Sequence, residues 1–264
     1  RIPTRTLQVA VPDPMTEVYW LEQTEADLPP TNDWLSENET ARLDSMRFEK
    51  RRRDWRLGRW TAKRAVVAYR NLAGHSQTLR GIEIRPAVSG APEVFFVGQP
   101  APVTISLSHR DGIALCAVAP SSVALGCDLE IIEPRSDSFT DDYFTAEEKE
   151  LVARARADDR SWIVALLWSG KESALKALRE GLRLDTRSVV VSLDDVEQGG
   201  AEKGLGPFAD SVLTPRPHAV NRWLPFHVRC TSGQVFRGWW QNTENLVRTM
   251  VAAPPPAPPI MLVP

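Results

Sequence analysis

Two carboxylates separated by a single residue are the first feature of this sequence that could do chemistry. Asp128 and Glu130 lie in an apolar run, Leu125–Ile132, whose composition is typical of a strand. Because alternate side chains of a strand leave the same face, we expect both carboxylates to point to one side. Two negative charges so close together need a cation or a basic partner. The pattern fits a metal site and an ion pair with Arg135 on a solvated strand face equally well.

A third carboxylate lies further along the chain, in the segment Trp168–Lys176. At helical spacing, Trp168, Glu172 and Lys176 fall along one face. The simplest interpretation is a surface Glu–Lys pair, which contributes only about 0.2–0.5 kcal/mol. The alternative is that Glu172 joins Asp128 and Glu130, since carboxylates completed by water and a substrate phosphate make a good Mg²⁺ site. Lys176 would then neutralise phosphate charge beside the metal.

A basic segment could bind phosphate from another part of the fold. Between Arg47 and Arg64 there are nine basic residues and two acidic ones. On a helix, one face would carry four of the basic side chains: Arg52, Arg56, Arg59 and Lys63. Such a face suits nucleic acid, an anionic surface or a polyphosphorylated small molecule, and it is equally typical of a solvated helix.

A serine and a histidine end another strand. Ser108 and His109 precede Asp111-Gly112, so they are expected at a strand-to-turn junction, where ligand-binding groups often lie. A single histidine in such a place is more often an ordinary polar turn residue. The sequence contains no phosphate-binding GxxxxGK motif, no GxSxG nucleophile motif and no Cys/His metal spacing.

Both helical and strand patterns occur along the sequence around these residues. The mixture predicts an α+β fold. We expect one helix that begins at Ser36 and three more that cover Phe48–Leu72, Ala146–Ala155 and Ser161–Arg179. Gly181 is the expected stop of the last helix. Strands are predicted at Thr16–Leu21, Ile82–Arg85, Glu93–Val97, Val103–Ser106, Ile113–Ala119, Leu125–Ile132, Ser188–Leu193, Trp223–Arg229 and Val235–Trp240.

Weak internal similarity predicts two related halves. Trp55-x₃-Arg59-x₃-Lys63 is similar to Trp168-x₃-Glu172-x₃-Lys176, and two apolar strands, Ile113–Ala119 and Val247–Ala253, both end in Ala-Pro. We therefore expect an N-terminal half at residues 1–122 and a C-terminal half at 123–253. The tail, residues 254–264, is proline-rich and is expected to be extended and mobile, without helix or strand.

Composition excludes several broad classes of protein. Apolar residues make up 42% of the chain and charged residues 25%, which fits a globular protein rather than a disordered one. The formal net charge of −2 gives no overall argument for nucleic-acid binding. Three cysteines in apolar runs are expected to be buried thiols. No run is long enough to span a bilayer and no signal peptide is recognisable, so we expect a cytoplasmic protein.

These segments, in this order, resemble the surfactin-type (Sfp-type) 4′-phosphopantetheinyl transferases. The family signature is a strand that reads Val/Ile-Gly-Val/Ile-Asp-x-Glu, then about forty residues, then a helix that reads Phe/Trp-Ser/Cys/Thr-x-Lys-Glu-Ser/Ala-x-x-Lys. The chain reads Leu125-Gly-Cys-Asp128-Leu-Glu130, then 37 residues, then Trp168-Ser-Gly-Lys-Glu172-Ser-Ala-Leu-Lys176. The family's Ser-His strand, basic coenzyme A helix and Phe-Ser-x-x-Glu step resemble Ile105–His109, Arg53–Arg59 and Phe144–Glu148.

The chain departs from the family pattern at three positions. Leu125 and Cys127 replace other apolar residues of the strand and leave the carboxylates in place. The family often has Gly-Lys-Pro where this chain has Gly90-Ala91-Pro92, so a contact to coenzyme A phosphate is lost unless Arg85 replaces it.

The resemblance implies a pseudo-dimeric α+β fold of two similar halves, with the active site at their interface. It implies Mg²⁺, with Mn²⁺ as a substitute, held by Asp128, Glu130 and Glu172. Coenzyme A, the co-substrate, is then expected to contact Arg53, Arg59, Lys63, Ser108, His109 and Lys176. Either Glu172 or Glu148 is expected to accept the proton of the attacking serine, with Lys176 as a further catalytic group.

The implied reaction moves 4′-phosphopantetheine to a serine of an apo acyl or peptidyl carrier protein and releases 3′,5′-ADP. A monomer that binds neither nucleic acid nor membrane is expected. The fatty-acid, polyketide or nonribosomal-peptide pathway it serves stays open. Two other classes also stay open: a metal-dependent nuclease or nucleic-acid-binding protein, and an inactive module that only binds carrier proteins.

Overall fold

The computed structural model describes residues 15–180, 183–193, 222–243 and 245–263. Within them the helices are α1 Glu37–Asp44, α2 Glu49–Tyr69, α3 Ser76–Gly81, α4 Asp137–Tyr143, α5 Ala146–Arg154 and α6 Ala157–Ala177. The strands are β1 Tyr19–Thr24, β2 Ile82–Pro86, β3 Pro92–Phe96, β4 Gln99–Pro100, β5 Val103–Arg110, β6 Ile113–Pro120, β7 Ala124–Ile131, β8 Val189–Leu193, β9 Leu224–Cys230, β10 Val235–Asn242, β11 Leu246–Ala253 and β12 Ile260–Met261. The predicted α+β class is confirmed.

The strands form three sheets. One sheet has the order β12-β1-β6-β5, a second β7-β11-β10-β9-β8, and a small third sheet β2-β3-β4. Strand β7 is therefore an edge strand, and its antiparallel pairing with β11 sets Asp128 opposite Thr249 and Glu130 opposite Val247. Strand β5, which carries Ser108 and His109, is an edge strand of the first sheet.

Helix α2 covers the outer face of the first sheet and α6 covers that of the second. Strand β6 is almost continuously apolar because both of its faces are buried, one against α2 and the other against the second sheet. The residues between the two sheets form a core of their own: Val18, Trp20, Leu115, Ala117, Leu125, Cys127, Leu129 and Met250. Cys127 and Leu129 thus point inward, as the strand alternation around Asp128 predicted.

The approach of α6 to β7 is unusually close, and it brings the helix beside the carboxylates. A Cβ atom on Gly126 would lie 1.8 Å from the carbonyl oxygen of Ser173, so only glycine fits there. Strands β5 and β7 are joined through side chains: the Ser106 hydroxyl accepts a hydrogen bond from the Cys127 amide at 2.9 Å. These contacts bring β5, β7 and α6 together along one line.

A buried Lys–Glu pair with the same set of contacts occurs in each half of the chain. In the first, Lys63 of α2 lies 2.5 Å from Glu39, which closes the capping box that Ser36 begins. In the second, Lys171 of α6 lies 2.7 Å from Glu148, which closes the capping box of Thr145.

The other contacts of the two pairs match as well. Each lysine also donates to two backbone carbonyls, and each glutamate accepts from the amide of a strand residue, Ile84 or Val191. Lys63 therefore corresponds to Lys171. The predicted alignment of Lys63 with Lys176 was wrong by one and a half helical turns, because both helices carry tryptophan and lysine more than once.

Several predicted element bounds need correction. The first strand begins at Tyr19 rather than Thr16, and Phe48, expected in the apolar stripe of α2, caps the helix and is 72% exposed. Helix α4 was not predicted at all. Helix α6 ends at Ala177, with Arg179 as the residue in the left-handed conformation, and the predicted stop Gly181 lies outside the described residues.

The proline-rich tail is extended as predicted, but the expectation that it lacks strand structure was wrong. Strand β12 pairs in parallel with β1, placing Ile260 beside Tyr19 and Met261 beside Trp20. The indole of Trp239 also donates a hydrogen bond to the Pro256 carbonyl at 2.9 Å. Prolines flank this strand instead of interrupting it, which the composition alone did not reveal.

The cysteine prediction is confirmed, since Cys116, Cys127 and Cys230 are all free and buried. Among the described helices, none has both the length and the apolar character needed to cross a membrane.

Candidate active site

A cleft of about 560 Å³ opens where β5, β7, α2 and α6 meet. Most of the side chains that the sequence singled out line it: Arg59, Ser108, His109, Asp128, Glu130, Trp168, Glu172 and Lys176. Five further lining residues carry charge or an aromatic ring: Asp54, Trp55, Arg110, Arg135 and Phe139. The fold thus gathers residues from both halves around one space.

Asp128 is the most deeply buried acid of the cleft, with 4% of its surface exposed. Its Oδ1 accepts hydrogen bonds from Lys176 Nζ and from the Ser108 hydroxyl, both at 2.7 Å. Its Oδ2 is buried and has no hydrogen-bond partner among the described residues. A buried carboxylate oxygen without a partner is costly, so this atom is available to a ligand that supplies positive charge.

Glu130 is held at the other side of the cleft by three donors or cations. Its carboxylate accepts a hydrogen bond from the Trp168 indole at 3.1 Å and lies 3.4 Å from Arg135 and 3.9 Å from Arg110. Burial, with a further contribution from the charge of Asp128, raises the pKa of Glu130 to about 7. The two arginines and the indole oppose this shift without cancelling it.

Glu172 faces the cleft from α6 and, within the described part of the chain, accepts no hydrogen bond and forms no ion pair. Burial and the nearby charge of Asp128 raise its pKa, and Lys176 opposes the shift. Burial is the largest single effect and would lower the pKa of Lys176, but Asp128, Cys127 and Glu172 together outweigh it and the pKa is raised overall. Lys176 therefore stays protonated, and it also donates to the Cys127 carbonyl at 3.0 Å.

These three carboxylates do not form a finished metal centre. Nowhere in the described ranges do three Asp, Glu, His or Cys side chains lie close enough together to hold a metal ion. Cations already lie beside two of the carboxylates: Lys176 beside Asp128, and Arg110 with Arg135 beside Glu130. The donor chemistry nevertheless fits a hard cation, because Asp128 Oδ2 and the Glu172 carboxylate have no hydrogen-bond or ion-pair partner among the described residues.

Two predicted phosphate ligands differ in their positions. Arg59 lines the cleft, stacks over the Trp55 ring at 4.9 Å, and keeps a buried Nε without a partner among the described residues. Burial lowers its pKa, although an arginine remains charged. Arg53 lies outside the cleft lining, and its Nε is 3.7 Å from Glu25. The structure favours Arg59 over Arg53.

The structure does not bring Lys63 or Glu148 to the cleft. Lys63 is fully buried and bonded to Glu39, Trp34 and Leu79, while Glu148 is 1% exposed and paired with Lys171. Both residues hold their own half together, so we withdraw them as a coenzyme ligand and as the base. Sequence could have found this role through the capping boxes, where Glu is the third helical residue.

Two arginines of the predicted basic face are also used internally. Arg52 donates to the carbonyls of Leu43 and Met46, and Arg56 donates to that of Pro29. These bonds fix the loops that precede α2. The face is therefore much less available to a nucleic-acid backbone than its charge suggested.

Sequence reasoning missed the basic and aromatic rim of the cleft. Arg110 follows the Ser-His pair directly, and the Phe139 ring lies 5.1 Å from that of Trp168. The position of Arg110 was a usable signal, because the next residue of the same strand end is expected near the same site. Phe139 lies on the short helix α4, which carries no periodic pattern long enough to recognise.

A second cavity of about 360 Å³ adjoins the cleft, and Arg59, Leu107 and Lys176 line both spaces. Six small or apolar residues and three hydroxyl residues also line it, together with Arg179: Pro86, Gly90, Ala91, Pro92, Ile105 and Leu125, and Ser89, Thr104 and Ser106. Arg85 does not line this cavity; it pairs with Glu83 at 2.6 Å and stacks over the Phe95 ring. Arg85 is therefore not positioned to replace the absent lysine at position 91.

Asp128, Glu130, Glu172 and Lys176 all come from one continuous stretch of the chain, between β7 and α6. Residues 124–216 match the 4′-phosphopantetheinyl transferase superfamily. This match includes the four charged residues and supports a transferase of that general class. The first half of the chain, with Arg59, Ser108 and His109, lies outside the match to the phosphopantetheinyl transferases. No curated protein shows a significant match to this chain.

Proposed function

We propose that this protein is a surfactin-type 4′-phosphopantetheinyl transferase that modifies a serine of an apo acyl or peptidyl carrier protein. Coenzyme A is the donor and 3′,5′-ADP the leaving product. The observation that carries the proposal is the ion pair in the cleft between buried Asp128 and half-buried Lys176, both in the matched segment, with no partner for Asp128 Oδ2 among the described residues. Arginine, serine and histidine side chains of the other half complete the cleft.

The charges of the cleft suit an extended anionic nucleotide. Asp128, Glu130 and Glu172 would hold Mg²⁺, or Mn²⁺ in its place, and the ion would supply positive charge that stabilises the negative charge on the leaving 3′,5′-ADP. Lys176 adds a fixed positive charge at the same end of the cleft. Arg59, Ser108 and His109 bind the nucleotide along the wall formed by α2 and β5.

The bond changes are those of a phosphoryl-type transfer. The carrier serine oxygen bonds to the phosphorus that carries pantetheine, and the bond from that phosphorus to the bridging oxygen of 3′,5′-ADP breaks. The serine proton passes to Glu172, directly or through one water. Among the two carboxylates expected from the sequence, only Glu172 faces the cleft.

The proposal is tested by mass spectrometry of apo-carrier proteins incubated with the enzyme, coenzyme A and Mg²⁺. A set of fatty-acid, polyketide and peptide carriers should include at least one that gains a single phosphopantetheine. Glu172→Ala should prevent this gain while the far-ultraviolet circular dichroism spectrum stays unchanged. Failure to modify any carrier, together with no binding of coenzyme A, would contradict the proposal.

The two other classes considered from the sequence are less well supported. Two arginines and one lysine of the basic helix form bonds inside the protein: Arg52, Arg56 and Lys63. Because these side chains are less available to a nucleic-acid backbone, a nuclease or nucleic-acid-binding protein is disfavoured. An inactive carrier-binding module is expected to have lost site residues, yet all four charged residues remain. The same assay separates these classes. We further propose that the chain acts as a monomer, in which the two halves supply the interface that holds the site.

A further inference from the structure

Arg179 holds a backbone conformation that arginine rarely adopts. Its φ angle is +58°, directly after the C-terminal end of α6. Its amide donates to the Lys176 carbonyl at 3.0 Å, and the next amide, of Glu180, donates to the Leu175 carbonyl at 3.2 Å. This is the Schellman motif, in which the left-handed residue is usually glycine because a Cβ atom is unfavourable there.

The matching helix of the first half ends in the same way with a more suitable residue. Asn71 follows α2 with a φ of +51°, and its amide donates to the Ala68 carbonyl at 3.1 Å. Asparagine tolerates the left-handed conformation well, whereas arginine gains nothing from it. The backbone conformation therefore does not favour arginine at position 179, which directs attention to the contacts of its side chain.

The Arg179 side chain lines the second cavity, together with Arg59 and Lys176. Its only described ion-pair partner is Glu93, with Nη1 3.5 Å from Oε1. Both side chains are nearly half exposed, and an exposed pair at this distance is weak. Arg179 is thus a cation at the cavity wall, and an anion that binds it more strongly than Glu93 does can take the place of Glu93.

The cavity is lined by apolar residues, hydroxyl residues and three cations, two of which are arginines. Prolines and leucines form much of its wall, which suits the flat face of a heterocycle. Arg59 and Arg179 both line it, and planar guanidinium groups bind phosphate through paired hydrogen bonds. It adjoins the cleft at Lys176, whereas the carboxylates line the cleft alone. An anion with no metal of its own is therefore better placed in this cavity than in the cleft.

We propose that Arg179 binds the terminal phosphomonoester of the nucleotide, the 3′-phosphate of coenzyme A, and so replaces the lysine that is absent at position 91. Ala91 lines the same cavity without a charge, and Arg85 is turned to Glu83. Glu93 is a weak, exposed ion-pair partner of this guanidinium. This inference rests on the proposed function, since it assigns one end of the donor to one residue.

The test compares coenzyme A with 3′-dephospho-coenzyme A, each titrated into the protein with Mg²⁺ in a calorimeter. Arg179→Gly suits the left-handed backbone, so its melting temperature should be no lower than that of the wild type. We expect it to weaken coenzyme A binding about tenfold or more, with little change for the dephospho form. Arg179→Asn is a second variant that also fits the backbone.

Arg183→Ala is the matched control. Arg183 lies on the same segment and donates to the Val88 carbonyl at 3.4 Å, but it does not line the cavity. This variant should bind both ligands as the wild type does. Glu93→Gln, which frees the Arg179 guanidinium, should bind coenzyme A at least as tightly as the wild type.

The possible results separate the two proposals. Equal weakening of both ligands by Arg179→Gly and Arg179→Asn, or no weakening at all, overturns the role of Arg179 while a wild type that still transfers phosphopantetheine keeps the proposed function. A wild type that binds neither ligand overturns the proposed function itself. Loss of coenzyme A affinity in Glu93→Gln would show that the ion pair, rather than the free cation, shapes the cavity.

Discussion

The Nζ of Lys176 lies 2.7 Å from Oδ1 of Asp128, and the second oxygen of that carboxylate is buried without a described partner. One residue comes from α6 and the other from β7, across the close contact that Gly126 allows. The lysine thus pairs with one oxygen of the carboxylate and leaves the other oxygen available to a cation from solution. A positive group and the proposed metal ligand are held together in this way in the protein without substrate.

Lys176→Met should lower the transfer rate by about a hundredfold or more, because a preorganised charge beside the developing negative charge is lost. Initial rates of holo-carrier formation, measured by mass spectrometry, check this. Lys149→Met is the control, since Lys149 pairs with Asp141 on the surface, away from the cleft. Equal rates in both variants would remove Lys176 from the transfer step.

Asp128→Asn should weaken binding of Mn²⁺ to the protein alone, measured by electron paramagnetic resonance without coenzyme A. The amide cannot supply the free anionic oxygen, which is the reason for the expected loss. Glu150→Gln, on the exposed Glu150–Arg154 pair of α5, removes one charge elsewhere and should leave Mn²⁺ binding unchanged. If both variants lose affinity equally, the effect is one of net charge and the metal assignment fails.

Arg59→Ala should weaken coenzyme A binding more than Arg53→Ala does. Arg59 lines both the cleft and the adjoining cavity, whereas Arg53 lines neither and lies near Glu25. Calorimetric titration of both variants under the same conditions gives the comparison. A larger loss for Arg53→Ala would mean that the nucleotide lies outside the cleft, along the N-terminal turns of α2.

Glu148→Gln and Glu39→Gln should each destabilise the protein by about 3–5 kcal/mol, because each leaves a buried lysine without its counter-charge. Urea unfolding followed by tryptophan fluorescence measures the free energy of unfolding. At a temperature where Glu148→Gln remains folded, it should still transfer phosphopantetheine. Loss of activity in a fully folded Glu148→Gln would restore that residue as a candidate base.

The stability of the metal-free protein should depend on Glu130 in a defined pH range. The pKa of Glu130 is about 7 in the fold and near 4.5 when it is exposed. Below pH 4.5 the group is protonated in both states and its contribution to stability is complete; as pH rises through 7, the buried carboxyl must ionise and that contribution is lost.

Unfolding by urea in EDTA, at a series of pH values, tests this. The free energy of unfolding of the wild type should fall relative to that of Glu130→Gln between pH 4.5 and 7, by about 1.4 kcal/mol per unit of pKa shift at most. Parallel curves for the two proteins would show that Glu130 does not titrate in this range.

Local patterns in the sequence determined the elements and the identity of the chemical groups. The alternation around Asp128 gave a strand with two carboxylates on one face, and the spacing of Trp168, Glu172 and Lys176 gave one helix face. Both patterns depend only on backbone geometry within a few residues, which is why they could be recognised without a structure.

The tertiary structure was needed to show which charged side chains are paired internally and which can contact a ligand. Lys63 and Glu148 look like site residues in the sequence, but each is paired inside its own half, and Arg179 looks like an ordinary helix-end residue although it lines a cavity. A charge shows its role through the partner it meets, and these partners lie many residues away along the chain. The close contact of α6 with β7 at Gly126, which no local pattern encodes, brings Lys176 to Asp128 and so creates the site.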